Sequence, residues 1–265
     1  MPKLHLISGL LGGMGKSLFA RTMIHIHESR GISFTAFDAD PQSYNVHKYY
    51  PHCTERMEIS KSDFKSTDRV IQTLEMGTAI IVNLASSSGA AITAWFERDD
   101  LFNLLKEMGK DDLRLQYELV NWFLSDGSEL SIDQFLGTVK QFELYADTMT
   151  HVLVRNLGKI DGCNAEGWTR MVEQEPLKPV FNASNVRSVE FPRFLKPEGF
   201  DGIEFTFAQA MLADRAGDGK RLNRLDRRRV IRFISDVEAN VAALGLLDAP
   251  ISKSKSKLDG AAKSS

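Results

Sequence analysis

The chain is poor in cysteine, in long apolar runs and in proline. Its 265 residues include two cysteines, Cys53 and Cys163, and eight prolines. Two distant cysteines are too few for a disulfide framework or a zinc site, which is typical of a protein of the reducing cytoplasm. No apolar run reaches the ~18 residues of a membrane span, and the first residues lack the apolar segment of a secretory signal. We therefore expect neither export nor membrane insertion.

Net charge is also nearly absent, at −2 from 33 basic and 35 acidic residues. Any attraction to nucleic acid must therefore come from a local basic patch. The hydrophobic fraction of 43% is typical of a globular protein with a sizeable core. No linker-like stretch interrupts the interior, so we predict one domain over residues 1–247. A Ser/Lys-rich tail over residues 248–265 is predicted to be disordered.

Short apolar runs alternate with longer amphipathic segments. This pattern predicts an α/β fold with a mainly parallel central sheet and helices on both faces. The segment 42–66 is less clear, with a candidate edge strand over residues 56–59. The predicted strands are 3–8, 33–38, 78–84, 115–123, 150–156 and 178–182, and the predicted helices are 16–29, 67–76, 90–108, 129–146, 165–175, 203–213 and 221–245.

The most informative stretch is S-G-L-L-G-G-M-G-K-S, residues 8–17. It connects a predicted strand to a predicted helix, and glycine-rich turns in this position bind nucleotide phosphates. Glycines let backbone N–H groups converge on an anion, and the helix N-terminus adds unpaired donors. Lys16 is predicted to contact the β- and γ-phosphates, and the Ser17 hydroxyl to ligate Mg²⁺. The predicted nucleotide-binding residues are Gly12, Gly13, Met14, Gly15, Lys16, Ser17 and Leu18.

The second predicted strand ends in F-D-A-D-P-Q, residues 37–42. Ligands gather at the carboxyl ends of parallel strands, so these carboxylates should face the glycine-rich loop. Asp38 gains nothing from helix capping, and we predict that it holds Mg²⁺ or orients an attacking water. Asp40 precedes Pro41, and a helix N-cap is an equally good interpretation of that residue.

Together the two motifs resemble the ParA/MinD family of dimerising ATPases, whose loop reads K-G-G-x-G-K-[ST] and whose second strand ends in a D-x-D-P-Q-type motif. The resemblance implies an α/β P-loop NTPase fold and a homodimer with ATP sandwiched at the interface. It also implies slow hydrolysis that uses Lys16 and Asp38. It also implies release from a DNA or membrane surface on hydrolysis. An asparagine at the position of Asn156 contacts adenine in the family. The alternative for Asn156 is a plain strand end.

Two positions depart from the family pattern. Leu11 stands where the family has its signature lysine and cannot reach a partner's phosphates. The Walker B strand A-I-I-V-N-L places Val82 or Asn83 where the family has an acid, so we expect weak hydrolysis. The missing lysine also resembles McdA-type carboxysome-positioning proteins, in which a later lysine substitutes. Lys159 is the candidate here, and an ordinary solvated lysine is the alternative. The layout is also similar to TraL-type plasmid-transfer proteins.

The last predicted helix has a basic face opposite an apolar face. Between residues 214 and 232 the chain has eight basic residues and three acidic ones. Such a patch suits binding to DNA phosphates without sequence preference, although a solvated polar face is the alternative. The apolar face is needed for the core, which argues against a membrane-surface role. The arginines predicted to bind DNA are Arg221, Arg224, Arg228 and Arg232.

The sequence therefore predicts an ATPase with ATP and Mg²⁺ as cofactors, located in the cytoplasm on the nucleoid. It would position a carboxysome or segregate a plasmid through an adaptor protein. One alternative is a plasmid mobilisation ATPase of the same family. Another is a P-loop ligase or amidase of the dethiobiotin or cobyrinate synthetase type, which needs a small-substrate pocket. A third is a nucleotide-binding scaffold that does not hydrolyse ATP.

Overall fold

The computed structural model describes residues 1–60, 65–86, 88–159, 177–195, 206–212 and 222–250. Within these ranges, seven parallel strands form one sheet in the order β3-β2-β4-β1-β5-β6-β7. The strands are β1 (Lys3–Ser8), β2 (Phe34–Ala39), β3 (Thr54–Arg56), β4 (Ala79–Leu84), β5 (Glu118–Ser125), β6 (Met149–Asn156) and β7 (Val186–Phe191). The helices are α1 (Lys16–Arg30), α2 (Asn45–Tyr49), α3 (Lys65–Leu74), α4 (Gly89–Arg98), α5 (Leu101–Asp111), α6 (Glu129–Gln141), α7 (Leu177–Phe181), α8 (Phe207–Met211) and α9 (Arg224–Ala243).

The sheet is buried on both faces by helices. Strand β4, with the sequence A-I-I-V-N-L, is buried at all six positions, as expected for a central strand of a parallel sheet. One face packs against α1, α2, α8 and α9. The other face packs against α3 to α7 in two further apolar clusters. This arrangement is an α/β P-loop NTPase fold and confirms the predicted fold class.

The strand order decides which strand ends meet. Strand β1 lies between β4 and β5, with Leu6 paired to Val82 and to Asn121. Strand β4 also pairs with β2, so that Asp38 lies beside Asn83. Because all strands run parallel, the carboxyl ends of β1, β2 and β4 open onto one edge of the sheet. The glycine-rich loop follows β1 at that edge.

Two predicted elements are wrong. Residues 178–182 were predicted as a strand, but Leu177–Phe181 form α7 and the strand follows at Val186–Phe191. Pro179 lacks an N–H group, which the first turn of a helix tolerates and a central strand does not. The predicted helix 90–108 is two helices, because Asp100 adopts a left-handed conformation with φ of 45° between α4 and α5. The predicted helix 165–175 lies outside the described residues.

The residue after the predicted domain boundary at 247 makes contacts with the sheet. Asp248 is buried, and its Oδ1 accepts a hydrogen bond of 2.8 Å from the backbone N–H of Lys3. This residue therefore packs against the start of β1, while the boundary at 247 stays a prediction. Residues 251–265 lie outside the described residues, and their predicted disorder stays a prediction. Among the described helices, none is long and apolar enough to traverse a bilayer.

Candidate nucleotide-binding site

The loop from Gly9 to Gly15 connects β1 to α1, as the motif predicts. Gly13 and Gly15 have φ values of 73° and 92°, conformations that L side chains rarely adopt. A Cβ atom on Gly15 would lie 2.7 Å from the side-chain nitrogen of Asn156. Gly15 is also the N-cap residue of α1, where no side chain caps the helix. The first N–H groups of α1 are therefore available to an anion.

Lys16 folds back over this loop. Its Nζ donates a hydrogen bond of 3.0 Å to the backbone carbonyl of Leu11, and the residue is buried. Burial lowers the pKa of the Lys16 ammonium, and the charge of Asp40 acts in the opposite direction. A partly desolvated cation beside free backbone N–H groups is an environment suited to a phosphate. The Leu11 side chain cannot replace the family lysine, but its carbonyl orients Lys16.

Asn156 fixes the glycine-rich loop through side-chain hydrogen bonds. Its Nδ2 donates to the carbonyl of Met14 at 2.7 Å, and its Oδ1 accepts from the N–H of Gly158 at 3.0 Å. The residue is 5% exposed. Both polar groups of Asn156 are therefore engaged in the loop and in its own turn. The contact with adenine stays a prediction, and the observed role is to fix the loop.

A polar cluster of Ser17, Asp38 and Asn83 lies beside the loop. Asp38 and Asn83 are fully buried. Asn83 Nδ2 donates to Asp38 Oδ1 at 2.8 Å and lies 3.5 Å from Ser17 Oγ. Because a carboxylate only accepts hydrogen bonds, the amide nitrogen of Asn83 must face Asp38. Its amide oxygen is left buried with no hydrogen-bond partner among the described residues.

These atoms suit a hard cation such as Mg²⁺, which prefers oxygen ligands. A buried amide oxygen without a partner costs free energy that a hydrated cation would offset. Of the two residues that the sequence offers for the Walker B position, Asn83 reaches the cluster, whereas Val82 packs in an apolar core. A neutral amide therefore stands where the resemblance leads one to expect an acid. A polar residue in an otherwise apolar strand was the sequence signal for it.

Asp38 caps a helix, so the expectation that it gains nothing from capping is wrong. Its Oδ2 accepts hydrogen bonds from the backbone N–H groups of Val46 at 2.8 Å and His47 at 3.0 Å, in the first turn of α2. The sequence pattern misses this contact because α2 begins only at Asn45, after an intervening turn. Only Oδ1 of Asp38 faces Ser17 through Asn83. The water-orienting role of Asp38 stays a prediction.

Asp40 closes a turn instead of starting a helix at Pro41. Its carbonyl accepts from the N–H groups of Ser43 and Tyr44. Its carboxylate accepts from the Gln42 N–H at 3.3 Å and from Ser43 Oγ at 3.1 Å. The helix N-cap interpretation of Asp40 is therefore wrong.

The remaining predicted residues near the loop differ in exposure. Gly12 is exposed, whereas the side chains of Met14 and Leu18 pack against the core beneath α1. Leu18 can therefore offer a nucleotide only its backbone N–H. Lys159 is exposed, and its backbone N–H donates to the carbonyl of Asn156 at 3.0 Å. Its role as a substitute for the family lysine stays a prediction.

The basic face of the last helix is present in the described part of α9. Arg224, Arg228 and Arg232 are exposed. Arg232 lies 3.7 Å from Asp236, with both side chains more than half exposed. The opposite face is buried in the core, from Val230 to Val241. This two-faced helix is as predicted, while Arg221 lies outside the described residues and DNA binding stays a prediction.

A cavity of about 330 Å³ adjoins the start of the loop on the sheet face that carries α4 and α6. Ser8 Oγ donates to Asn121 Oδ1 at 2.5 Å on its floor, and Gln141 Nε2 donates to Thr93 Oγ1 at 2.6 Å across its rim. A pocket near the loop is what the ligase alternative requires. None of the described residues that line it is charged, which does not suit the carboxylate substrates that ATP-dependent ligases activate.

Comparisons with known proteins give one relative and a distant structural likeness. The chain is 22% identical over 167 residues to protein MobD of Acidithiobacillus ferrooxidans, covering 58% of this chain and 74% of MobD. A solved nucleotide-binding protein from Archaeoglobus fulgidus, in complex with ADP, has a TM-score of 0.39 and 10% identity, covering 72% of this chain and 81% of that one. A likeness of that size carries no argument. No family model matches the chain.

Proposed function

We propose that this chain is an ATP-binding switch of the ParA/MinD type that binds Mg²⁺–ATP at the loop between β1 and α1. The observation that carries the proposal is the combination of two features at one edge of the sheet. Lys16 is buried over exposed glycines at an uncapped helix N-terminus, and Ser17 lies beside a buried amide oxygen that has no described partner. Both features suit a phosphate with its cation.

The residues act as follows in this proposal. The backbone N–H groups of residues 12–17 and the Lys16 ammonium bind the β- and γ-phosphates. The Ser17 hydroxyl ligates Mg²⁺, while Asp38 and Asn83 hold its water ligands. The cation supplies neutralisation of phosphate charge. Hydrolysis is slow, because Asn83 adds no negative charge and one Asp38 oxygen is committed to α2.

Nucleotide binding then controls dimerisation and DNA binding. The proposed DNA binding is supported by a continuous basic strip on α9, formed by the exposed Arg224, Arg228 and Arg232. Helix α9 packs on the same sheet face as α1, whose first residues carry the phosphate contacts. A dimer would double this strip, and the number of phosphate contacts sets the affinity and its salt dependence.

The similarity to MobD favours a plasmid as the cargo, and a plasmid mobilisation ATPase is therefore the form of the proposal that we prefer. The carboxysome alternative has no support from the fold or from the comparisons. In either case an adaptor protein would connect the switch to its cargo and stimulate hydrolysis.

The test combines solution mass with DNA affinity. Light scattering should give a dimer with Mg²⁺–ATP and a monomer with ADP. Fluorescence anisotropy should show DNA binding that requires ATP and weakens steeply with salt. Arg224→Ala combined with Arg228→Ala should weaken DNA binding without changing the dimer. The matched control is Arg69→Ala combined with Arg114→Ala, two exposed arginines associated with the opposite sheet face.

A dimer with ADP alone would contradict the switch. ATP-dependent dimers without salt-sensitive DNA binding would contradict the DNA role and leave a nucleotide-controlled dimer.

A further inference from the structure

A Glu–His–Cys cluster lies at the end of α1 opposite the phosphate loop. Glu28 is in the last turn of α1, and His52 and Cys53 are in the turn that leads to β3. His52 Nε2 donates to Glu28 Oε1 at 2.6 Å, and Cys53 Sγ lies 3.9 Å from the same oxygen. One ligand atom from each of the three side chains lies within 4.8 Å of the other two.

The backbone around the cluster is fixed. The N–H of Cys53 donates to the carbonyl of Tyr50 at 3.3 Å, and the carbonyl of Cys53 accepts from the N–H of Ala36 in β2 at 3.2 Å. Tyr50 is fully buried, and its hydroxyl accepts from the N–H of Phe207 at 3.0 Å. His52 and Cys53 are therefore fixed in place between strand β2 and the buried Tyr50. Rigid support of this kind is what a metal site requires of its surroundings.

The electrostatics of the cluster favour a cation. The carboxyl end of α1 adds the negative end of a helix dipole. Arg30, in the same turn, is paired with Glu238 at 2.8 Å. A divalent cation would remove the repulsion between carboxylate and thiolate.

We propose that Glu28, His52 and Cys53 bind a zinc ion, with water as the fourth ligand. One carboxylate, one imidazole and one thiolate are all ligands that zinc takes in tetrahedral sites. Binding displaces the thiol proton to solvent and leaves a zinc–thiolate bond. The site lies outside the phosphate loop and does not depend on the proposed nucleotide function. Cys53 alone was too little for the sequence to indicate it.

The cluster of His5, His27 and Asp248 meets the same distance criterion but does not suit a metal. Trp122 Nε1 donates to His5 Nδ1 at 3.0 Å, so the proton of neutral His5 must be on Nε2, which faces Asp248 at 2.8 Å. A metal on Nε2 would move that proton to Nδ1, against the indole N–H of Trp122. The two clusters therefore provide an internal comparison.

Cobalt(II) is the probe that tests the zinc site, because a cobalt–thiolate bond gives a near-ultraviolet charge-transfer band. Titration of the reduced full-length chain with Co²⁺ should produce that band at one equivalent, and Zn²⁺ should abolish it. Cys53→Ser should remove the band, whereas Cys163→Ser should retain it. Co²⁺ at the nucleotide site would give no such band, since no thiol lies among the residues that form that site.

His52→Ala provides a second variant that should fold normally, because the His52 side chain is 58% exposed. It should weaken Co²⁺ binding by about tenfold or more. His5→Gln is the control from the buried cluster and should leave the charge-transfer band unchanged. A wild-type chain without the band, or a band that survives in Cys53→Ser, would overturn the proposal. So would a band that is lost in Cys163→Ser.

Discussion

The two ends of β1 each carry a buried polar cluster, and the clusters differ in whether their atoms are paired. At the amino end, Asp248 Oδ1 accepts from the Lys3 N–H, and Oδ2 lies 2.8 Å from His5 Nε2 and 3.2 Å from His27 Nε2. At the carboxyl end, the amide oxygen of Asn83 has no described partner. Lys16 there donates a hydrogen bond to the neutral carbonyl of Leu11.

The cluster of His5, His27 and Asp248 at the amino end is here called the closed cluster, because its polar side chains pair with one another and with the backbone. His27 Nδ1 faces the carbonyl of Met23 at 2.8 Å and Nε2 faces a carboxylate. Both neighbours of the His27 ring are hydrogen-bond acceptors. Burial alone would raise the pKa of Asp248, but hydrogen bonds from His27 and His5 outweigh burial and hold it below its usual range. The closed cluster therefore needs no ligand. The cluster of Ser17, Asp38 and Asn83 at the carboxyl end is called the open cluster, because the Asn83 amide oxygen has no described partner and could face a ligand.

The largest expected effect comes from breaking the closed cluster. Asp248→Ala leaves the ring nitrogens of His5 and His27 that face it, and the Lys3 N–H, buried without their acceptor. We expect the free energy of unfolding to decrease by about 3–5 kcal/mol in urea titrations. Asp147→Ala is the control, since Asp147 pairs with Lys106 on the surface at 3.4 Å, and it should change stability little. An Asp248→Ala chain as stable as the control would contradict the closed cluster.

Acid should destabilise the fold through a third buried histidine. Burial lowers the pKa of His151 to about 4 from 6.5, and its Nε2 has no described partner. The unfolded chain takes up this proton first as the pH decreases. Uptake of this proton therefore leaves the free energy of unfolding unchanged above pH ~6.5. It decreases the free energy of unfolding as the pH falls from ~6.5 to ~4, by a total on the order of 3 kcal/mol.

Urea titrations from pH 7 to pH 4.5 measure that slope. His151→Gln should reduce this slope, while the buried His5 and His25, whose pKa values are also lowered by burial, retain their share of it. Equal slopes in wild type and His151→Gln would show that His151 is not the group responsible.

Replacing Asn83 by aspartate adds a second carboxylate to the open cluster and tests whether this cluster binds a cation. Asn83→Asp removes the donor to Asp38 and places two carboxylates side by side. We expect a loss of about 1–3 kcal/mol without Mg²⁺, and recovery of this loss when Mg²⁺ and nucleotide are added. Thermal unfolding with and without both ligands measures it. Asn121→Asp, on β5, is the matched buried control and should show no recovery specific to Mg²⁺.

The smallest expected effect concerns the support of the loop. Asn156→Ala removes two hydrogen bonds, the one that Nδ2 donates to the Met14 carbonyl and the one that Oδ1 accepts from the Gly158 N–H. We expect nucleotide to bind about fivefold to tenfold more weakly, the equivalent of ~1 kcal/mol. Equilibrium dialysis measures this change, with Asn103→Ala on α5 as the control. An unchanged affinity would mean that the loop keeps its conformation without Asn156.

The sequence predicts the part of the fold in which local signals are strong. Strands β1, β2, β4 and β6 lie within about a residue of their predicted bounds, because each is a short apolar run. The chain near Pro179 is ambiguous, since a short apolar run suits a buried strand or a helix. The break at Asp100 depends on a left-handed residue, which the apolar periodicity on either side does not reveal.

The nucleotide site likewise combines residues that a local motif predicts with contacts between residues that are far apart in sequence. The glycine-rich loop, Lys16 and Ser17 are predictable because the motif is local in sequence. The cap that Asp38 provides to α2 and the support that Asn156 gives to Met14 join residues that are 8 and 142 positions apart. Such contacts follow from strand order and register, which the sequence pattern leaves open. The closed cluster is missed for the same reason, since Asp248 lies 243 positions from His5.

The most direct test of the account is calorimetric titration of the chain with ATP and ADP in the presence of Mg²⁺. Wild type should bind one nucleotide per chain. Lys16→Ala should bind about 10- to 100-fold more weakly, because a hydrogen bond from a charged donor is lost. Lys140→Ala, at an exposed lysine of α6, should bind like wild type. Equal affinity in Lys16→Ala and wild type, or no binding by wild type, would contradict the claim that this loop is a phosphate site.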